Sequence, residues 1–277
     1  MIAYRIERSV DFEQVYDLDD PAPYYAPLAE ADYRMPAALV GWLRAEEDWL
    51  RRELGATDRP LRVLDFACGY GFVGALLHHQ VDIADVYARY ASRSWSAGDG
   101  RINWSGDADW FAARRTEPTE TGVETGWELA GIDIAANAVA YANEVGLISR
   151  GFTDAIPEHG VGAVLGDYLP SVDLVIESGA IGGIYRECFG PIVAASGTSP
   201  WFLYCPRPSV DLRPLDALWG ELCYEVARSS PPVRYRRPIG RAERAELLAQ
   251  TEAVGNDPET AFIGEHLAVE IRLARPF

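Results

Sequence analysis

A short apolar strand followed by a glycine-rich turn constrains this chain more than any other segment. Residues 61–66 read LRVLDF, and Gly69, Gly71 and Gly74 follow, the last inside the apolar stretch 72–77. Glycine tolerates positive φ and lets the backbone approach a ligand closely, while the N-terminus of the next helix offers free N–H groups. The pattern therefore predicts a strand, a tight turn and a helix that together bind a ligand.

The rest of the chain alternates apolar strands with helical segments. The helical spacing of apolar residues predicts a helix over 35–54 before the glycine turn, and further helices, one of them over 215–227, separate the later strands. This alternation is typical of an α/β fold with a mostly parallel sheet. Strands are predicted at 61–66, 127–134, 151–153, 172–177, 201–205, 233–237 and 266–273.

The charge balance excludes several classes of function. The 277 residues include 42 acidic and 25 basic side chains, a net charge of −17, and all the basic residues are Arg. Without a Lys there is no Schiff-base enzyme, no ordinary pyridoxal phosphate enzyme and no Walker-type nucleotidase. Because the net charge repels phosphates, we expect neither nucleic acid nor a membrane surface as a partner.

Cysteines and termini point to a cytoplasmic protein. The four cysteines lie far apart in the sequence, so we expect buried free thiols and no metal site. The N-terminus lacks the pattern of a signal peptide, and no apolar run approaches the roughly 20 residues that a membrane helix needs.

Residues 63–71, VLDFACGYG, carry a family resemblance. They resemble motif I of class I S-adenosylmethionine-dependent methyltransferases, roughly V-L-D-x-G-x-G-x-G, with Ala67 in place of the first glycine. The spacing Gly69-x-Gly71-x-x-Gly74 also fits the dinucleotide fingerprint of nicotinamide enzymes. Asp65 inside the strand favours the methyltransferase interpretation, and a turn without any ligand remains a third alternative.

The resemblance implies a Rossmann-like, doubly wound, mostly parallel seven-stranded sheet with helices on both faces. Asp133, in the segment GIDI, follows Gly71 by 133 − 71 = 62 residues, whereas a compact unit has about 20. We therefore expect an insertion at about 82–126, which is rich in Trp and polar residues. Residues 1–60 are expected to form a helical cap or lid, and 61–277 the cofactor-binding domain.

The implied cofactor is S-adenosylmethionine, with S-adenosylhomocysteine as its product. Asp133 resembles the acid that binds the ribose hydroxyls, although it could equally cap the following helix. Asp154 resembles the acid that contacts adenine, and Asp167 is its rival. The complete set expected to bind the cofactor is Asp65, Ala67, Cys68, Gly69, Gly71, Asp133, Ile134, Asn137, Asp154, Ser178 and Arg34.

Three further residues are candidates for catalysis. Glu177 ends the fourth predicted strand and is a candidate general base, with Tyr185 close to it in the sequence. Tyr33 is expected to close over the sulfonium cation, and Arg34 to hold the methionine carboxylate. A structural role for the N-terminal tyrosines stays open, as does a solvated role for the arginines at 228–244.

The function that the resemblance implies is methylation of a small molecule, which we expect to belong to bacterial secondary metabolism. One alternative keeps the cofactor but cyclises or eliminates its aminobutyrate arm, releasing methylthioadenosine. Others are an NAD-binding oxidoreductase and a non-catalytic, methyltransferase-like partner protein. The Trp-rich insertion is a candidate surface for a homodimer.

Overall fold

The computed structural model describes residues 15–91, 93, 103–115, 126–179 and 181–277. Ten strands are present in these ranges. They are β1 (Leu61–Phe66), β2 (Trp127–Ile132), β3 (Arg150–Phe152), β4 (Leu174–Glu177), β5 (Trp201–Tyr204), β6 (Tyr224–Ser229), β7 (Val233–Arg234), β8 (Phe262–Ile263), β9 (His266–Val269) and β10 (Arg272–Pro276).

Eleven helices are described with them. They are α1 (Ala22–Glu30), α2 (Met35–Glu53), α3 (Phe72–His78), α4 (Ile83–Ala91), α5 (Trp104–Ala112), α6 (Ala136–Glu144), α7 (Ile156–His159), α8 (Ala163–Tyr168), α9 (Tyr185–Ser196), α10 (Arg213–Glu221) and α11 (Gly240–Ala253). The predicted helix at 35–54 is thus confirmed to within one residue.

Seven strands form the main sheet, in the order β3-β2-β1-β4-β5-β10-β6. The first five in that order pair in parallel, and β10 runs antiparallel to both of its neighbours. The predicted mostly parallel, seven-stranded sheet is confirmed. Since the chain proceeds outward in both directions from the β1–β4 pair, the ligand crevice of such a fold lies at the carboxyl ends of these strands.

Alternate residues of β1 enter two separate cores. Leu61 and Val63 belong to the cluster that contains α2 and α3, whereas Leu64 and Phe66 belong to the cluster on the opposite face, which contains α9. Side chains of a strand point to opposite faces in turn, so an apolar run buried on both sides needs helices on both. The sheet is therefore doubly wound, in a Rossmann-like fold.

The C-terminal region differs from the predicted pattern in two places. The strand expected over 266–273 is broken, with β9 in a small sheet ordered β7-β9-β8 and β10 in the main sheet. Residues 222–227, expected to be helical, mostly form β6, which pairs with β10. Cys223 has a φ of 58° between α10 and β6, so the turn and the strand pairing override the local helical pattern.

Gly74 allows α3 to approach the segment that follows α6. A Cβ at this position would lie 2.0 Å from the backbone oxygen of Leu147. Backbone atoms cannot move aside as a flexible side chain does, so the third glycine of the turn is required by packing. No described helix is both long and apolar enough to cross a membrane.

We expect Gly74→Ala to lower the free energy of unfolding by about 3 kcal/mol or more, because the added methyl group meets a backbone oxygen. Gly41→Ala is the matched control, since Gly41 lies on the exposed side of α2 with nothing within 4 Å of its Cβ position. That change should stabilise the protein by about 0.5–1 kcal/mol. Urea unfolding measures both, and equal effects would contradict the packing role of Gly74.

Candidate functional site

The glycine turn lies at the carboxyl end of β1 in left-handed conformations. Gly69 and Gly71 have φ values of 51° and 77°, and Ala67 has a φ of 62°. A non-glycine residue in this region carries a strain of roughly 1–2 kcal/mol. The chain thus keeps the backbone path of the motif even where Ala67 replaces its first glycine.

Asp133 joins the turn to the end of β2. Its Oδ2 accepts hydrogen bonds from the backbone N–H of Gly69 at 2.9 Å and from the hydroxyl of Tyr16 at 2.5 Å. Its Oδ1 accepts one from the N–H of Ala135 at 3.0 Å. Burial raises the pKa of Asp133, and the hydrogen bonds oppose that rise. The side chain holds the turn and caps the entry to α6.

Asp65 is the most unusual group in this region. Its side chain is 1% exposed, and neither oxygen has a hydrogen-bond partner among the described residues. Burial raises the pKa of Asp65 well above its ordinary value, and the carboxylates of Asp133 and Glu177 raise it further. An unpartnered buried carboxyl group destabilises a fold, so its position beneath the glycine turn makes Asp65 a candidate to face a ligand.

Tyrosine side chains cover the turn. A Cβ placed on Gly69 would lie 3.3 Å from the hydroxyl of Tyr24 and 3.5 Å from that of Tyr16. The ring of Tyr24 lies 5.0 Å from that of Tyr70 and 5.6 Å from that of Tyr16. Desolvation raises the pKa of both Tyr16 and Tyr24 well above the ordinary value, so both remain neutral donors.

Asn137 lies at the start of α6, beside Asp133, and contacts the N-terminal segment. Its backbone N–H donates to the Oδ1 of Asp17 at 2.6 Å, and its side-chain amide donates to the carbonyl oxygen of Asp17 at 2.9 Å. Asn137 therefore lies beside Asp133, as predicted, and its polar groups bind Asp17.

Ile134 and Asp154 follow the ends of β2 and β3. Ile134 is 49% exposed, a high value for a large apolar side chain, and lies next to Asp133. Asp154 accepts a hydrogen bond from the N–H of Gly162 at 2.7 Å, which fixes the loop before α8. Both residues are thus at the same carboxyl edge of the sheet as the glycine turn, because the N–H of Asp133 bonds the carbonyl of Phe152.

Glu177 and Tyr185 lie beneath the loop that follows β4. Glu177 is fully buried and accepts hydrogen bonds from the N–H of Ile181 at 3.1 Å and from the hydroxyl of Tyr185 at 2.9 Å. Tyr185 is 2% exposed, and both desolvation and Glu177 raise its pKa. Through these contacts both side chains hold the loop. Because Glu177 is buried and already bonded, it is not accessible as the predicted general base.

Tyr33 reaches the same loop from the N-terminal segment, and Ser178 lies within it. The hydroxyl of Tyr33 donates to the carbonyl oxygen of Ser178 at 3.0 Å, and the ring packs edge-on against Tyr235 at 5.2 Å. Arg34 points elsewhere, since its guanidinium pairs with Asp32 at 2.9 Å and its side chain is 48% exposed. Tyr33 is thus brought to the crevice, whereas Arg34 is committed to a surface ion pair.

The described part of the expected insertion docks against α6. Asp107, on α5, is fully buried and accepts hydrogen bonds from Arg89, Arg93 and the hydroxyl of Tyr141. Trp104 packs edge-on against Tyr141 at 5.5 Å. Residues 92, 94–102 and 116–125 of the expected insertion lie outside the described ranges.

The cysteines are all free, and three of them are buried. Cys68 lies in the turn and donates weakly to the carbonyl of Gly69, with 3.6 Å between sulfur and oxygen. Cys223 is exposed, so the expectation that all four are buried is wrong there. The arginines at 228–244 include Arg228, paired with Glu46, and Arg236, paired with Glu243.

Residues of the site that the sequence did not reveal are Tyr16, Asp17 and Tyr70. Tyr16 and Asp17 lie more than a hundred positions from their partners Asp133 and Asn137, so no local pattern links them. Tyr70 lies within residues 63–71, so its position in the turn was known from the sequence. Its contact with the N-terminal segment was not.

No family model matches this chain, and no curated protein matches it. Among solved structures, it is similar to a magnesium protoporphyrin IX methyltransferase from Synechocystis PCC 6803 with bound S-adenosylmethionine, at 12% identity and a TM-score of 0.40, over 99% of this chain and 88% of the other. An S-adenosylmethionine-dependent methyltransferase from Geobacter sulfurreducens, in complex with S-adenosylhomocysteine, has 16% identity and a TM-score of 0.37, over 82% and 90%.

An uncharacterised protein from Listeria monocytogenes serotype 4b has 8% identity and a TM-score of 0.39, over 82% of this chain and 66% of its own. These identities and TM-scores are low. The fold assignment therefore rests on the strand order and register described above, and the function on the geometry of the site.

We expect the variant Asp65→Asn to be thermally more stable than the wild type, by a difference that grows as the pH rises. An acid whose pKa is raised in the folded state destabilises that state above the pKa of the unfolded chain, near 3.8, and increasingly up to the folded pKa. Each pH unit between these two pKa values changes the difference in the free energy of unfolding between variant and wild type by about 1.4 kcal/mol. This corresponds to about 3 °C in Tm for a chain of this size. Melting curves from pH 4 to pH 8 measure the difference between variant and wild type.

The control is Asp211→Asn, because hydrogen bonds from Arg213 lower the pKa of that exposed carboxyl group to about 2. A lowered pKa stabilises the folded state above pH 3.8 and loses this effect below it, so the control gains no stability at high pH. A constant difference for Asp65→Asn across the whole range would contradict the burial of an unpartnered carboxyl group.

Proposed function

We propose that this chain is a class I S-adenosylmethionine-dependent methyltransferase that acts on a small molecule. The observation that carries the proposal is the unpartnered buried carboxyl group of Asp65 beneath the glycine turn. The resemblance of residues 63–71 to motif I makes the same assignment from the sequence.

The residues present fit this cofactor. Asp133, at the end of β2, is a carboxylate that would accept hydrogen bonds from a vicinal diol once the hydroxyl of Tyr16 leaves its Oδ2, and it is tied to the turn that would lie beside the diol. Asp65 and Asp133 are both buried acids, and a ligand that carries an ammonium and a sulfonium group would favour their ionised forms. Ile134 offers an exposed apolar surface to the adenine ring, with Asp154 beyond it on the same edge.

The cofactor supplies a methyl group on a sulfonium centre, which is electrophilic without further activation. The work of the protein is therefore to bind, to orient and to exclude water. The hydroxyl oxygen of Tyr24, 3.3 Å from the Cβ position of Gly69, is a neutral acceptor that favours a cation. Glu177 and Tyr185 hold the loop after β4 and so shape the wall of the crevice.

The proposed class of methyl acceptor rests on the net charge of the chain, since no motif identifies the acceptor. The chain carries a net charge of −17, so a nucleic acid or an anionic membrane surface is a poor partner and a small molecule is favoured. We further propose that the enzyme is cytoplasmic, that it works in bacterial secondary metabolism, and that homodimers would form through the insertion.

Isothermal titration tests the proposal directly. We expect wild-type protein to bind S-adenosylhomocysteine, and Asp133→Asn to bind it about 10- to 100-fold more weakly, because hydrogen bonds to a charged acceptor are lost. Asp211→Asn, a surface change next to Arg213, should bind like the wild type. Absence of binding by folded wild-type protein would rule out the proposed function.

A second candidate keeps the cofactor and changes the bond that breaks. The hydroxyls of Tyr16 and Tyr24 already lie over Gly69, a cover that suits an enzyme enclosing the cofactor alone. In this alternative the aminobutyrate arm is cyclised or eliminated, and methylthioadenosine leaves.

Incubation of the enzyme with S-adenosylmethionine and no acceptor separates the two reactions. For the methyltransferase we expect the cofactor to be recovered intact, since without an acceptor no adenosylhomocysteine forms. Chromatography that shows enzyme-dependent release of methylthioadenosine, absent with heat-denatured protein, would establish the alternative instead.

A further inference from the structure

The N-terminal segment Tyr16–Asp20, here called the strap, crosses the carboxyl edge of the sheet. Its first residue places a hydroxyl 2.5 Å from the Oδ2 of Asp133, the acid assigned to the ribose. Its second residue, Asp17, binds the backbone N–H and the side chain of Asn137 at the start of α6. The tip of the strap thus lies on two residues of the proposed cofactor site.

Asp133 has little capacity left for a ligand while the strap is in place. The side chain is 6% exposed, and its two oxygens accept three hydrogen bonds, from Gly69, Ala135 and Tyr16. The bonds from Gly69 and Ala135 are backbone contacts that belong to the turn and to α6. The Tyr16 hydroxyl is the one donor of the three that can leave without changing either element.

The remainder of the strap has anchors of its own, away from Asp133 and Asn137. The hydroxyl of Tyr70 donates to the carbonyl of Leu18 at 2.8 Å, and the indole N–H of Trp104 donates to the carbonyl of Asp19 at 2.6 Å. Asp20 pairs with Arg93 at 3.3 Å. Because these anchors lie at 18–20, a movement of Tyr16 and Asp17 alone is enough to uncover Asp133.

We propose that the tip of the strap, Tyr16 and Asp17, is an internal competitor for the cofactor and that these two residues set the affinity for it. The inference rests on the proposed function. A phenolic hydroxyl and a ribose hydroxyl are both neutral donors, so the carboxylate exchanges one for the other without a change in its charge. The tip must leave before the ribose can bind.

The strap has a consequence for affinity and rate. When only the open fraction of the protein binds, the apparent Kd equals the intrinsic Kd divided by that fraction. The observed rate of association then reaches a plateau at high ligand concentration, where opening of the strap limits it. The contrasting case is a lid that closes on the cofactor after binding. Tyr16 would then contact the cofactor, and removal of the Tyr16 hydroxyl would weaken binding.

The test compares S-adenosylhomocysteine binding by wild type, Tyr16→Phe and Asp17→Ala, by titration calorimetry and stopped-flow fluorescence. We expect about tenfold tighter binding by Tyr16→Phe and a higher plateau rate, since the phenylalanine ring cannot donate to Asp133. Asp17→Ala should act in the same direction and serves if Tyr16→Phe proves unstable. Both are checked for folding by their melting curves.

Tyr224→Phe and Asp211→Ala are the matched controls. The hydroxyl of Tyr224 donates to the carbonyl of Pro200 at 2.9 Å, so the change removes one buried tyrosine hydroxyl outside the site. Both controls should bind like the wild type. If the wild type binds S-adenosylhomocysteine and both Tyr16→Phe and Asp17→Ala bind it equally well or more weakly, the strap proposal is wrong. The proposed function would then still stand. Absence of binding by all of these proteins would remove the proposed function, and the strap proposal with it.

Discussion

The hydrogen bond between the Gly69 N–H and the Asp133 carboxylate, 2.9 Å long, is the contact around which this site is organised. It joins the turn after β1 to the end of β2, two neighbouring parallel strands whose register pairs Phe66 with Ile132. The same carboxyl group caps the entry to α6 through Ala135. The shape of the crevice therefore depends on one buried acid that binds the backbone of two separate segments.

Burial of several acids close together is the second constraint. Asp65, Asp133 and Glu177 are all nearly inaccessible to solvent, and the carboxylates of Asp133 and Glu177 disfavour ionisation of Asp65. A chain without lysine has no ammonium group of its own to place among them. The structure compensates for Asp133 and Glu177 with hydrogen bonds, whereas Asp65 has no hydrogen-bond partner among the described residues, which is why the proposed function gives it a cationic ligand.

The segment before β1, the region after β6 and the insertion converge on this edge of the sheet. Tyr33 from the N-terminal segment and Tyr235 from the C-terminal region each donate to carbonyls of the loop after β4, Ser178 and Gly179. The insertion supplies Trp104 and Arg93, which anchor the strap. Elements outside residues 63–71 thus close the crevice, and their contacts with the strap connect the insertion to Asp133.

The alternation of strands and helices, the glycine turn and the position of Asp65 could be predicted from apolar runs and glycine positions, which are local in the chain. The resemblance of residues 63–71 to motif I added the Rossmann-like sheet and the place of Asp133 at the end of β2. At that level Glu177 was a candidate general base and Arg34 was expected to hold the methionine carboxylate, but burial and ion pairing decide such roles. Only the tertiary structure showed that Glu177 holds a loop and that Arg34 pairs with Asp32. It alone brought Tyr16 to Asp133, across 117 positions, since contacts at that separation come from packing and leave no periodic signal.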